Sequence, residues 1–131
     1  MASFITGTDF ITVPTRDYEK AAEFYGDVLG LPFSKRWGSM PAGEFETGNL
    51  TIAVWEPEAF GQEFRTNPNP LEFRVDDFPA AKAELESRGV EFLMDTIDSG
   101  VCCQALFKDP DGNVLAIHHR YAEGAPPAAG G

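Results

Sequence analysis

Positive charge is scarce in this chain. Ten Lys and Arg stand against 21 Asp and Glu, which leaves a net charge of −11 at pH 7 and a pI near 4.4. Binding nucleic acid or an anionic membrane needs a basic patch, so neither is expected as a partner. Cysteine is scarce too: there are two, Cys102 and Cys103, and they are adjacent. Neighbours in a strand point to opposite faces, so no disulfide is expected between them, which agrees with a reducing compartment. No apolar run approaches the roughly 20 residues of a membrane span. The N-terminus carries neither the basic region nor the long apolar core of a signal peptide. A cytoplasmic location is the expectation. The acidity itself reads either as solubility or, more sharply, as attraction of a cationic ligand.

What is present suffices for a core. The chain has 131 residues, 43% of them hydrophobic, enough for one compact domain or two small halves that share a core. The second half, residues 73–121, organises the rest. Its centre is the turn at residues 108–113, where Pro110 is preset for a type I turn and Gly112 tolerates the last position. Apolar runs at 101–107 and 114–117 flank it, so a hairpin is expected. A helix capped by Asp76 and Asp77 precedes it, with Pro79 in the first turn, Phe78, Ala81 and Leu85 on one face and Gly89 at the end. Residues 71–75 alternate as a strand, and residues 90–93 read as a returning strand.

The first half repeats this order. Residues 4–13 read as a strand, Asp17 caps a helix carrying Ala21, Phe24, Tyr25, Val28 and Leu29, and Gly30 ends it. Residues 31–33 begin an extended return, 39–43 read as a turn, and 50–55 as a strand. Phe10 to Asp17 maps onto Pro70 to Asp77, and Gly30, Phe33 and Gly48 map onto Gly89, Phe92 and Gly112 in the same order. Two copies of one unit, each strand, helix and three strands, are expected, with a proline-rich connection between them. The tail from Ala122 is Ala, Gly and Pro with one Glu, and reads as disordered.

The segment 17–31, DYEKAAEFYGDVLGL, resembles the first-helix signature of the vicinal oxygen chelate superfamily, and 109–113, DPDGN, resembles its terminal hairpin. This is the glyoxalase, bleomycin-resistance and extradiol dioxygenase group. The resemblance spans residues 4–121. It implies an α+β fold of two βαβββ modules whose mixed sheets curl into a cup with helices outside: module one at about 4–56, a linker at about 57–69, module two at about 70–121. It also implies a small molecule bound in the cup and a homodimer.

Catalytic members of the superfamily hold a divalent metal, which needs converging His and carboxylate ligands. By motif match the ligand positions fall on Phe10, Ile52, Pro70 and Ala116, none with a donor side chain. A shifted register around Ile52 would let Glu46 or Glu56 supply an oxygen; separately, Cys103 and His118 are candidates for a non-standard metal site across the terminal hairpin. The resemblance therefore implies the metal-free, cofactor-free branch, in which the cup binds rather than transforms, as in the bleomycin-binding resistance proteins. If the ligand positions face the cup, strand alternation turns Thr12, Glu72, Arg74 and His118 the same way, and His119 the other. His118 reads either as an ordinary surface histidine or as a ligand contact, and Glu72 with Arg74 as an ion pair or as a polar anchor. Trp37, Phe45, Trp55, Phe60 and Phe64 lie in or beside loops and strand ends, where aromatic walls suit a flat or cationic ligand. The candidate ligand-binding set is Thr12, Trp37, Phe45, Trp55, Glu72, Arg74 and His118. Two other functions stay open: an enzyme of lyase, isomerase or dioxygenase type using Glu72, His118, a cysteine or a non-standard metal site, and a regulatory module with a degenerate cup.

Overall fold

A computed structural model describes residues 3–122. The chain folds as two compact units. In the first, β1 (Phe10–Pro14) leads to α1 (Tyr18–Glu23), then β2 (Phe33–Arg36), β3 (Ala42–Glu46) and β4 (Thr51–Trp55). The sheet order is β1-β4-β3-β2, with β1 parallel to β4 and the other pairs antiparallel. Two carboxylates start α1: Asp17 accepts from the Lys20 N–H at 3.2 Å, and Glu56 accepts from the Tyr18 N–H at 2.8 Å. Both satisfy amides that a helix start leaves without a partner. The helix widens into a π-turn over Phe24–Val28, and Gly30 ends it in the left-handed region (φ 74°). Tyr25 is thereby fully buried, its ring centroid 6.3 Å from that of Phe45, in a core that also includes Val13, Ala21, Ile52 and Val54.

The second unit repeats this order as β5 (Leu71–Arg74), α2 (Phe78–Ser87), β6 (Ile97–Asp98), β7 (Cys102–Lys108) and β8 (Val114–Arg120). Its sheet order is β5-β8-β7-β6, with β5 parallel to β8. Asp77 caps α2 by accepting from the Ala80 N–H at 3.1 Å. Phe78, Leu85, Val90, Ala105, Phe107, Leu115 and Ile117 form its core. The two four-stranded mixed sheets, each with a helix, give the α+β fold that the superfamily resemblance implies.

One piece of the second half belongs with the first unit: the hairpin tip Pro110–Asn113. Asp111 accepts from the Thr15 hydroxyl and the Arg16 N–H, and Asn113 donates to the Pro14 carbonyl while accepting from the Asn67 N–H. Gly112 (φ 88°) supplies the backbone that this tip needs.

Three local expectations are corrected. The first strand begins at Phe10 rather than residue 4, because β4, its one ladder partner, begins at Thr51 opposite Phe10. Phe4 is left 94% exposed. Residues 90–93 form no strand: Val90 is buried, Leu93 gives one bond to the Leu106 carbonyl, and pairing with β7 starts at Ile97. Residues 42 and 43, read as turn, open β3. The tail is described only at Ala122; the rest of that expectation lies outside the described residues. Among the described residues no helix is long and apolar enough to cross a membrane.

Candidate functional site

Each sheet packs one face into the core of its unit; the other, the open face, carries the exposed side chains, although Ala42, Ala53 and Ala116 on it are buried, and strand register decides which side chains share a face. In the first unit, Phe10 pairs with Thr51, Thr12 with Ala53, Glu44 with Ala53, Ala42 with Trp55 and Glu46 with Thr51. These residues share the open face, and Phe10 and Thr12 are exposed on it. Trp37 joins them from the β2–β3 turn by donating its indole N–H to Glu44 Oε2 at 2.7 Å. Lys35 Nζ lies 4.0 Å from the same oxygen. The Phe60 ring, on the short 3₁₀ turn Pro57–Phe60, sits edge-on to Trp37 (centroids 6.4 Å apart) and tilted on Trp55 (5.3 Å). Three aromatic rings and a carboxylate therefore form one cluster. Edge-to-face pairs of this kind hold rings in fixed orientations, and ring faces with a carboxylate nearby suit a cation or a flat aromatic.

In the second unit, register brings Arg74, His118, Gln104 and Ile97 into one row across all four strands. The neighbouring row is Glu72, Ala116 and Leu106. Arg120 and Cys102 pair one row further on. Glu72 and Arg74 are exposed, and no ion pair joins them. His119 points to the other face, its Nδ1 3.0 Å from the Val75 carbonyl.

Of the residues expected to contact a ligand, Thr12, Trp37 and Trp55 lie together on the open face of the first sheet. Glu72, Arg74 and His118 lie together on that of the second. Phe45 does not belong with them. It pairs with Ile52 on the buried face, is 2% exposed, and packs on Tyr25 and Phe33. Reading residues 39–43 as turn hid the alternation of β3, which sends Glu44 and Glu46 to the open face and Phe45 to the core. The turn-like composition also conceals Glu44, the carboxylate of the cluster. Gln104 belongs to no motif; its signal in the sequence is its place within an alternating strand, opposite His118.

A model of the Glyoxalase/Bleomycin resistance protein/Dioxygenase superfamily matches residues 7–117. The chain belongs to this superfamily. Among its relatives, YraH of Bacillus subtilis (strain 168) is 28% identical over 120 residues, covering 82% of this chain and 94% of that protein. Among solved structures of similar fold, TnmS3, an antibiotic binding protein from Streptomyces sp. CB03234, has a TM-score of 0.76 at 25% identity, covering 92% of this chain and all of that one (100%). A glyoxalase/bleomycin resistance protein/dioxygenase from Nocardioides has a TM-score of 0.73 at 23% identity, covering 97% of this chain and 91% of that one.

The superfamily's metal does not fit the residues at its usual positions. Ile52 lies in the core, and register corrects that position to Ala53: Ala53 stands opposite Thr12 as Ala116 stands opposite Glu72. Phe10, Ala53, Pro70 and Ala116 offer no side-chain donor. The carboxylates suggested as substitutes are engaged elsewhere: Glu56 caps α1, and Glu46 accepts from the Thr51 hydroxyl at 2.7 Å. Cys103 cannot join His118, because it pairs with His119 and so lies on the opposite face. Partial burial and the Asp98 charge raise the Cys103 pKa, which works against the thiolate. Among the described residues no three His, Cys, Asp or Glu side chains are grouped so as to hold a metal.

Proposed function

We propose that this protein binds a flat or cationic organic molecule on the open face of the first sheet without a metal, and sequesters it rather than transforming it. One observation carries the reading: Trp37, Phe60 and Trp55 cluster beside Glu44 on the face where superfamily enzymes would present metal ligands, with Phe10 and Ala53 in those places. A cation over an indole is worth roughly 0.5–2 kcal/mol, rising as water is excluded, and a carboxylate adds to it. The net charge of −11 favours the encounter with a cation. The similarity to TnmS3, described as antibiotic binding, supports a role in antibiotic resistance. A homodimer in the cytoplasm is part of this reading; the exposed Phe4 and Ile5 support the association.

Calorimetry against a panel of aromatic and cationic natural products, glycopeptides included, tests it. Saturable heat that is lost in Trp55→Leu and reduced in Glu44→Gln is the expected result. No binding anywhere in the panel at ligand concentrations of ~100 μM would end the proposal.

A further inference from the structure

The open face of the second sheet differs chemically from the first. Arg74, His118 and Gln104 stand side by side on β5, β8 and β7, and Arg120 follows His118 two residues along β8 on the same face. Lys108, paired with Val114, faces this way at the far end of the hairpin. Two guanidinium groups, an imidazole and an amide thus occupy adjoining positions, in a chain with only ten Lys and Arg. Of the acidic residues on β5 to β8, Glu72 alone lies on this face: Asp98 pairs with Cys103 on the other. The Arg74 side chain is exposed and forms no ion pair among the described residues.

Concentrated donors on a sheet face are what an oxyanion recognises. A guanidinium can offer two parallel N–H groups to a carboxylate or phosphate, and an imidazole and an amide beside it supply further donors. We infer that the second sheet's open face is an oxyanion-binding site, with Arg74 as the principal anchor, His118 and Gln104 as further donors, and Arg120 as added positive charge. Its ligand class is an organic carboxylate or phosphate monoester. Glu72 sits one row from Arg74 and opposes the anion, which makes the site weaker than its donors alone would be. The site uses none of the residues assigned to the first sheet, so the two proposals fail independently.

The probes are benzoate and phenyl phosphate, titrated into the full chain while the Arg side-chain N–H, His ring C–H and Gln amide signals are followed by NMR. Saturable shifts at Arg74, His118 and Gln104 are expected with at least one probe. Benzoate alone would assign the carboxylate class, and phenyl phosphate alone the phosphate class. Arg74→Gln should weaken binding about tenfold, as loss of a charge-assisted pair does. Glu72→Gln should tighten it about twofold to threefold, since it removes an opposing, partly screened charge. Arg65→Gln, which makes the same change of net charge at an exposed pair with Glu63, should leave affinity unchanged. Shifts that fail to saturate, shifts centred elsewhere, or equal losses in Arg74→Gln and Arg65→Gln would overturn the inference. So would a Glu72→Gln variant that binds more weakly.

Discussion

The Thr15 hydroxyl donates to Asp111 Oδ2 at 2.5 Å across 96 residues of sequence. The other oxygen of the same carboxylate accepts from the Arg16 N–H at 3.0 Å, so Asp111 bridges a hydroxyl and a backbone amide at the end of β1. Hydrogen bonds to a charged acceptor contribute more than neutral ones. Asp111→Ala should therefore lower unfolding stability by about 2–3 kcal/mol, and Thr15→Val by about 1 kcal/mol. In urea titrations the two losses should not add, because they remove a shared bond. Strict additivity would mean that the pair contributes nothing jointly.

Gly43 is required for a steric reason. A Cβ there would run into the Tyr18 hydroxyl and press on the Phe33 ring. Tyr18 is buried, with Arg36 over its ring at 4.8 Å, so it has little room to retreat. Gly43→Ala should cost about 1–3 kcal/mol, as overpacking does. The same substitution in a Tyr18→Phe background should cost less, since the clashing oxygen is gone. An equal cost in both backgrounds would place the strain in the backbone instead.

Phe45 and Trp55 separate core from surface. Phe45→Ala should destabilise the protein by about 3–5 kcal/mol, because it empties a site enclosed by Tyr25, Phe33 and Ile52. Trp55→Leu should cost less, since Trp55 lies half-buried at an open sheet face and keeps apolar contact with Phe60. Thermal unfolding of the two variants measures this ordering. The reverse order would return Phe45 to the candidate site.

Tyr121 reports on the end of the second sheet. Its hydroxyl donates to Asp98 Oδ1 at 2.6 Å, which pushes the tyrosine pKa up to about 12 from 10.0 and lowers that of Asp98. A raised tyrosine pKa favours the neutral form in the folded protein. Its contribution to stability is therefore full below pH 10 and is lost as pH rises toward about 12. Burial raises the Tyr18 pKa as well, so ultraviolet titration should show Tyr121 among the late phenolates, and Tyr121→Phe should remove that one step. A Tyr121 that ionises at its ordinary value would mean the bond does not persist in solution.

Much of the fold was legible because its signals are local. Asp17 and Asp77 cap helices, Gly30 and Gly89 end them, and Gly112 permits the hairpin tip; each acts through its own backbone and a near neighbour. The order of these signals, given twice, exposes the repeat. Strand ends were less legible, because a strand lasts only as long as its partner. Residues 4–9 have strand character but no ladder opposite them, and residues 90–93 are held to β7 by a single bond.

By itself the sequence determined the two-module plan, the acidity, the superfamily signatures and the lack of donor side chains at the usual metal positions. These depend on residue identity, which does not change on folding. Tertiary structure decided which side chains share a face. It put Phe45 in the core and Glu44 beside Trp37, replaced Ile52 by Ala53, parted Cys103 from His118, and aligned His118 with Arg74 and Gln104. The physical reason is the two-residue period of a strand: a shift of one residue moves every side chain to the opposite face, and only the hydrogen-bonded ladder fixes that register.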